Sequence, residues 1–199
     1  MKNTIFSLSF SLFLISCGSD TTTSKSSPKD ISTSAKTEKI EVQNNKLPKF
    51  KTVREMLKDA SDFDEDNNTL KFISENESNL HVQISKPIFE NDLEQVKMDI
   101  VKRDIIYVAF QAFARTDVNQ ITVTGIPVMQ DNYKKYVSKY KRTVKLEREK
   151  AKKVMMKYLS SEDFSILYEL DKGLWLPSKK FSVLKFEKLN EVFSSISTK

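Results

Sequence analysis

The sequence contains very few of the residue types on which most enzyme sites and disulfide-bonded folds depend. Among 199 residues there are one cysteine, one histidine, one tryptophan and three glycines. A single cysteine cannot form an intramolecular disulfide, so the stability of the fold must come from its hydrophobic core. One histidine and no Gly-x-Ser-x-Gly sequence leave almost no material for a Ser-His-Asp triad. A zinc site would have one imidazole and at most one thiolate.

Acidic residues are abundant, but no pair or group of them stands out as a site. The nearest approach to a metal motif is the acidic run at residues 62–68, whose side-chain oxygens suggest a Ca²⁺ loop. Counting an EF-hand from Asp62 places Ile73 at the twelfth position, and counting from Asp64 places Thr69 where the turn glycine belongs. We therefore predict a solvated acidic turn, with no metal site and no cofactor.

The first seventeen residues have the organisation of an export signal. Lys2 provides a positive charge, and residues 5–14 are mostly apolar. This run is too short to cross a bilayer, which takes roughly 20 apolar residues, but it suits a secretory core of about 7–15. Cys17 follows at once, between the small residues Ser16 and Gly18.

The stretch Leu14-Ile15-Ser16-Cys17 resembles the lipobox of bacterial lipoproteins. This resemblance covers the leader only, and it implies removal of residues 1–16 followed by lipidation of Cys17. Two or more acyl chains give stable membrane attachment. Because Asp20 does not directly follow the cysteine, the resemblance favours the outer membrane, facing the periplasm. The alternative is an ordinary cleaved signal peptide with an unrelated cysteine.

Composition divides the remainder into a tether and one domain. Residues 17–46 are rich in Ser, Thr and Lys and contain few large apolar residues, so we predict a disordered tether. Residues 47–199 have the length of a single domain with a full core. Their pattern predicts an α+β fold in which a small antiparallel or mixed sheet packs on two long helices.

The expected elements alternate along this domain. We predict a helix at 52–60 with a Thr52–Glu55 capping box, a hairpin with a longer loop formed by strands at 69–74 and 80–85, and a strand at 120–124. The first long helix starts at Asn91 or Asp92, ends near residue 116 and forms the core. The second is predicted at about 132–159. A short helix at 161–170, a buried corner around Trp175, a strand at 181–186 and a helix at 187–196 complete the prediction.

The segment 132–159 has the most informative charge. It contains eleven basic and two acidic residues, a net charge of +9, whereas residues 47–131 carry ten basic and fifteen acidic residues, a net charge of −5. If it is helical, basic side chains flank an apolar stripe. The candidate residues for an anionic-partner face are Lys134, Lys141, Arg142, Lys145, Arg148 and Lys152.

Two interpretations of this segment remain open. It is either a solvated face, neutralised in part by the acidic half of the domain, or a surface for an anionic envelope polymer, lipid headgroups or an acidic protein. Nucleic acid is not expected, because the predicted export signal directs the chain out of the cytoplasm and RNP-type aromatic motifs are missing.

The sequence thus predicts a non-enzymatic, membrane-anchored binding or accessory component of the cell envelope. The alternative is an envelope hydrolase that uses a carboxylate pair. A pair of carboxylates converging in a cleft would favour the hydrolase. His81 is interpreted as a sheet-face residue and Trp175 as part of the core, and neither as a ligand site.

Overall fold

The computed structural model describes residues 46–198, so Cys17 and the predicted tether before Lys46 lie outside the described residues. The helices are α1 (Val53–Ala60), α2 (Glu94–Arg115), α3 (Arg148–Leu159), α4 (Lys179–Ser182) and α5 (Leu189–Ser197). The strands are β1 (Leu70–Ser74), β2 (His81–Ile84), β3 (Pro87–Ile88), β4 (Gln120–Gly125), β5 (Val128–Met129), β6 (Asn132–Tyr136), β7 (Arg142–Glu147), β8 (Tyr168–Asp171) and β9 (Leu174–Pro177).

The main sheet has four strands in the order β1-β2-β4-β7. The β1–β2 and β4–β7 pairs are antiparallel and the β2–β4 pair is parallel, so the sheet is mixed. Val82, Val123 and Val144 lie side by side on its buried face. β3, β5 and β6 form a small second sheet, and β8 and β9 form a separate hairpin. The predicted α+β class is confirmed.

Helix α2 is the centre of the core, as the sequence indicates. Ile105, Ile106, Phe110 and Phe113 are completely buried, because the sheet, α5 and the turn after α3 cover most of the helix. A helix that is apolar on nearly every side requires such coverage. The helix begins at Glu94 without the predicted side-chain cap, since the Asp92 carboxylate instead accepts a hydrogen bond from the Phe89 amide.

Helix α1 forms as predicted. The Thr52 hydroxyl accepts from the Glu55 amide, and the Glu55 carboxylate accepts from the Thr52 amide, which together make a capping box. The apolar side of α1, formed by Val53, Met56 and Leu57, is buried. The predicted hairpin of β1 and β2 is also confirmed.

The prediction of a second long helix at about 132–159 is wrong over its first half. Residues 132–147 form β6, a 3₁₀ turn and β7, and only α3 is helical. In β7 the side chains alternate, with Val144 and Leu146 buried and Lys145 and Glu147 exposed, which is the two-residue period of a strand. Six successive residues of β7 pair with β4, and these long-range contacts outweigh the local helical spacing.

The prediction for residues 161–186 also fails in most of its elements. A 3₁₀ turn at Phe164–Leu167 leads into β8, and β9 replaces the buried corner. Lys172 and Gly173 connect the two strands with φ values of 48° and 83°, the left-handed region that a tight hairpin turn uses. The predicted strand at 181–186 is helical, because α4 continues into a π-helical turn at Val183–Glu187. The closing helix is confirmed as α5.

Candidate functional site

The predicted basic residues do not share one helix face. Lys134 lies on β6, Lys141 precedes β7, Arg142 and Lys145 lie on β7, and Lys152 lies on α3. We use the name basic strip for the exposed basic residues of the two strands and their connection that have no ion-pair partner in the described part of the chain. They are Lys134, Lys135, Lys141, Arg142 and Lys145. Within residues 46–198 none of these five forms an ion pair.

Arg148 does not belong to this exposed surface. Its guanidinium donates to the carbonyl oxygens of Phe113, Thr116 and Val118 at 2.8–2.9 Å, at the C-terminal end of α2. The guanidinium also lies 5.2 Å from the ring centre of Phe113 and 5.4 Å from that of Phe164. Burial lowers the pKa of Arg148 from its ordinary value. Its positive charge neutralises the negative end of a helix dipole.

Part of the positive charge nearby is neutralised by acidic side chains. Lys152 pairs with Glu149 at 2.7 Å within α3. Lys139 pairs at 2.6 Å with Glu94, which belongs to the acidic half of the domain. Neutralisation by acidic side chains therefore applies to these two lysines, whereas the residues of the basic strip are exposed without an ion-pair partner in the described domain.

The open face of the main sheet carries the only histidine of the chain. His81 Nε2 lies 2.9 Å from Thr124 Oγ1, which lies 2.8 Å from Thr143 Oγ1, so one polar row crosses β2, β4 and β7. Partial burial lowers the pKa of His81, and the positive charge of Lys141 adds to this effect. The placement on a sheet face agrees with the sequence interpretation. Lys145 lies on the same face of β7 as Thr143, so this member of the basic strip borders the polar row.

A small cleft of about 290 Å³ brings two carboxylates together from distant parts of the sequence. Asp62, Asp104, Tyr107, Lys86 and Lys185 are among its lining residues. The Tyr107 hydroxyl donates to Asp62 Oδ2 at 2.8 Å. The Arg103 guanidinium pairs with Asp104 Oδ1 at 2.8 Å. We call this the carboxylate cleft.

The environment of the carboxylate cleft perturbs several titrating groups. Burial raises the pKa of Asp104, whose side chain is only 8% exposed, although the Arg103 charge acts in the opposite direction. Burial also raises the pKa of Tyr107 and lowers that of Lys185. The Lys185 ammonium lies 4.4 Å from the ring centre of Tyr107 and 4.8 Å from that of Phe181. A cleft with such shifts is a candidate site.

A larger cleft, with a volume of about 910 Å³, lies at the C-terminal end of α2. Phe113, Phe164 and Trp175 contribute apolar surface, and Lys46, Lys49 and Arg148 contribute positive charge. Trp175 is thus partly buried against the core but also open to a cleft, which differs from the buried corner that the sequence suggests.

The acidic run at 62–68 forms a turn held by its own hydrogen bonds. Asp64 Oδ1 accepts from the Asp66 amide, and Asn67 Oδ1 accepts from the Thr69 amide and hydroxyl. Among the described residues no three His, Cys, Asp or Glu side chains are grouped closely enough to hold a metal ion.

The carboxylate cleft was missed because its members are far apart in the sequence. Asp62 follows α1, Asp104 lies within α2 and Lys185 lies in the π-helical turn. The sequence contained one signal. Asp104 immediately precedes the apolar half of α2, and an acidic residue next to a buried helix segment needs a partner if it is buried as well.

No helix in residues 46–198 is both long enough and apolar enough to span a bilayer. The chain matches no protein-family model, no curated protein and no solved structure.

Proposed function

We propose that this protein is a lipid-anchored, non-enzymatic component of the bacterial envelope that binds an anionic partner. The anchor is Cys17, which the lipobox-like sequence supports. By the same resemblance, we place it at the outer membrane, facing the periplasm. The partner is an anionic envelope polymer, a lipid headgroup surface or an acidic protein patch. The basic strip is its binding surface.

The observation that carries the binding proposal is the exposure of the basic strip without ion pairs inside the described domain. Its five cations belong to twelve consecutive residues and are all exposed. A lysine or arginine near an anionic surface contributes about 1 kcal/mol of attraction. Several unpaired cations therefore give useful affinity without any single essential residue.

An alternative explanation is that these charges protect a sheet edge. β7 is the last strand of the main sheet, and lysines on an edge strand discourage pairing with another chain. Edge protection predicts aggregation when the charges are neutralised, and it predicts no affinity for anions. The two explanations are therefore separable by binding measurements.

The anchor is tested by the substitution Cys17→Ser. We expect loss of radiolabelled palmitate incorporation and movement of the protein from the membrane fraction to the soluble or precursor pool, because serine lacks the thiol that receives the lipid. Ser16→Ala, which keeps a small residue beside the cysteine, is the control. Normal labelling of the Cys17→Ser chain contradicts the proposed anchor.

The binding surface is tested with the triple variant Lys134→Glu, Lys141→Glu and Lys145→Glu, made in the unlipidated Cys17→Ser chain. Flotation with vesicles containing phosphatidylglycerol, and separately with lipopolysaccharide, measures binding. We expect the affinity to fall about a hundredfold or more, because about 1 kcal/mol is lost for each of the three lysines removed and every ~1.4 kcal/mol is a factor of ten.

The matched control is Lys58→Glu, Lys153→Glu and Lys188→Glu. These three lysines are exposed and lie outside the basic strip, and the variant has the same net charge as the test variant. Equal loss of binding in both variants would show attraction by net charge alone. No loss in the test variant, or no binding by the parent at low salt, contradicts the proposed surface.

The carboxylate cleft supports one second candidate, a hydrolase. Burial keeps Asp104 protonated to higher pH, which suits a general acid, and Asp62 lines the same cleft as a second carboxylate. The test is release of reducing ends from isolated envelope polysaccharide by wild type, Asp104→Asn and Asp62→Asn. Activity that both substitutions abolish would establish the hydrolase. Wild-type protein without activity would contradict it.

A further inference from the structure

The β8–β9 hairpin carries apolar side chains outwards into solvent. Leu174 and Leu176 lie opposite Asp171 and Glu169 on one face of the hairpin, and Leu170 lies opposite Trp175 on the other. Leu174 is 65% exposed, Leu176 is 43% exposed and Leu170 is 39% exposed. A two-stranded hairpin is only marginally stable alone, and this one is held by Trp175, which packs against the core. The outward leucines do not contribute to that packing.

A second exposed apolar patch is surrounded by acidic residues. Phe89, Leu93 and Val96 are 60%, 74% and 44% exposed. Their neighbours in sequence are acidic, with Glu90, Asp92 and Glu94 interleaved among them. An anionic lipid surface would repel this patch.

Three lysines lie on the hairpin or directly after it. Lys172 is at its tip, and Lys179 and Lys180 follow β9, and all three are exposed. Residues 168–180 contain three basic and two acidic residues, a net charge of +1. Leucine, tryptophan and lysine together are the residues that bind the boundary between lipid headgroups and acyl chains. Both patches contain acidic residues, but residues 89–97 carry a net charge of −2 where the hairpin segment carries +1, so of the two patches the hairpin is the better fit to an anionic membrane surface.

The position of the hairpin relative to the start of the folded domain points to the same partner. Trp175 lines the cleft of about 910 Å³ together with Lys46 and Lys49. Lys46 is the first described residue, so the segment that leads back to Cys17 joins the domain beside the hairpin. An anchor attached there raises the effective concentration of the hairpin at the lipid surface.

We propose that the β8–β9 hairpin is a second membrane contact, which inserts Leu174 and Leu176 into the headgroup region of the leaflet that holds the Cys17 lipid. This inference rests on the proposed anchor. It orients the cleft beside Trp175 towards the membrane and leaves the acidic patch around Leu93 turned away from it.

The single tryptophan of the chain provides a probe within the same strand, because Trp175 lies between the two leucines in sequence, with its side chain on the other face of the hairpin. The full lipidated protein is reconstituted in vesicles of phosphatidylethanolamine and phosphatidylglycerol, with and without bromine on the acyl chains. We expect brominated lipid to quench Trp175 emission, most strongly when bromine is near the headgroups. Leu174→Ser with Leu176→Ser should lower this quenching about twofold or more, because the hairpin loses its apolar contact.

The matched control is Leu93→Ser with Val96→Ser, which removes the other apolar patch and should leave the quenching unchanged. Absence of quenching in the lipidated wild type overturns the inference, as does equal quenching in the hairpin variant. An emission change that depends on protein concentration and not on lipid would identify a second copy as the partner and would also overturn it.

Palmitate labelling separates this result from the proposed anchor. A labelled protein without quenching keeps the anchor and rejects the hairpin contact. An unlabelled chain whose quenching still depends on Leu174 and Leu176 rejects the anchor and keeps the hairpin contact.

Discussion

At the scale of single residues, Arg148 has a structural role that its charge alone does not reveal. Its side chain crosses from the start of α3 to the end of α2 and bonds three carbonyl oxygens there. The last carbonyls of a helix have no partners within the helix, so a positive donor both satisfies them and opposes the helix dipole.

We predict that Arg148→Gln lowers the free energy of unfolding by about 2–4 kcal/mol, because several charge-assisted hydrogen bonds to backbone oxygens are lost. Arg148→Lys should recover only part of this loss, since an ammonium cannot reproduce the planar fork of guanidinium. Urea unfolding measures both. Arg142→Gln, at an exposed position six residues earlier, is the control and should change stability by less than about 0.5 kcal/mol.

Because His81 is the only histidine of the chain, its effect on the pH dependence of stability is not overlaid by that of another imidazole. Its pKa is below the ordinary value of 6.5, so the unfolded chain takes up a proton more readily than the folded chain. The stability that this difference contributes is therefore present in full above about pH 6.5 and is lost as the pH falls below that value and through the lower pKa of the folded state. His81→Gln should remove this part of the pH dependence while keeping a side chain that can bond Thr124.

A single imidazole signal in NMR spectra reports the pKa of His81 directly. We expect Lys141→Gln to raise that pKa towards its ordinary value, because the nearby positive charge is removed while burial remains. An unchanged pKa in Lys141→Gln would show that Lys141 does not act on His81.

At the scale of elements, α2 lies close against the main sheet at Gly125. A Cβ atom at this position would lie 2.9 Å from Val101 Cγ1 and 3.1 Å from Ile105 Cγ1. Glycine here permits α2 to lie directly on β4, and so it sets the thickness of the core.

We predict that Gly125→Ala destabilises the fold by about 1–3 kcal/mol, because the added methyl group overpacks the α2–β4 interface. Val101→Ala removes the side chain that the new methyl group meets. The double variant should therefore be more stable than the sum of the two single effects predicts, by about 0.5 kcal/mol or more. Urea unfolding of all four proteins forms the cycle, and simple additivity would contradict direct contact.

At the same scale, the elements that the sequence predicts correctly are stabilised by contacts between residues close in sequence, and those it predicts wrongly depend on residues far apart. The capping box of α1 and the β1–β2 hairpin depend on residues close in sequence, and both are confirmed. The sequence predicts a helix over β7, because the lysine, valine and leucine of this strand also fit a helical spacing over a longer window. Pairing with β4 provides its strand structure, and no local signal contains that partner.

At the scale of the whole molecule, charge is distributed unevenly. Residues 47–131 carry a net charge of −5, while residues 132–159 carry +9. Among the described residues a single ion pair, that of Lys139 with Glu94, joins the two regions. The basic strip on β6 and β7 keeps its charge exposed, which is the basis of the proposed function.

We predict that binding of the unlipidated Cys17→Ser chain to anionic vesicles weakens strongly between about 50 and about 500 mM salt, because exposed charges are screened over a few ångströms at the higher concentration. Flotation across a salt series measures this. The hairpin variant Leu174→Ser with Leu176→Ser should have a similar salt dependence, since it retains all the basic residues. Binding that does not change with salt contradicts an electrostatic surface.

The sequence by itself determined the α+β class, the burial of α2, the capping box of α1 and the β1–β2 hairpin, because these depend on composition and on short-range patterns. The same is true of the hypothesis of a lipid anchor at Cys17, which rests on a short contiguous motif. Only the tertiary structure decided that Arg148 turns inward, that Asp62 and Asp104 share a cleft and that the leucines of β9 face solvent. These outcomes depend on which distant segments pack together, and that choice is made by the summed energy of many long-range contacts.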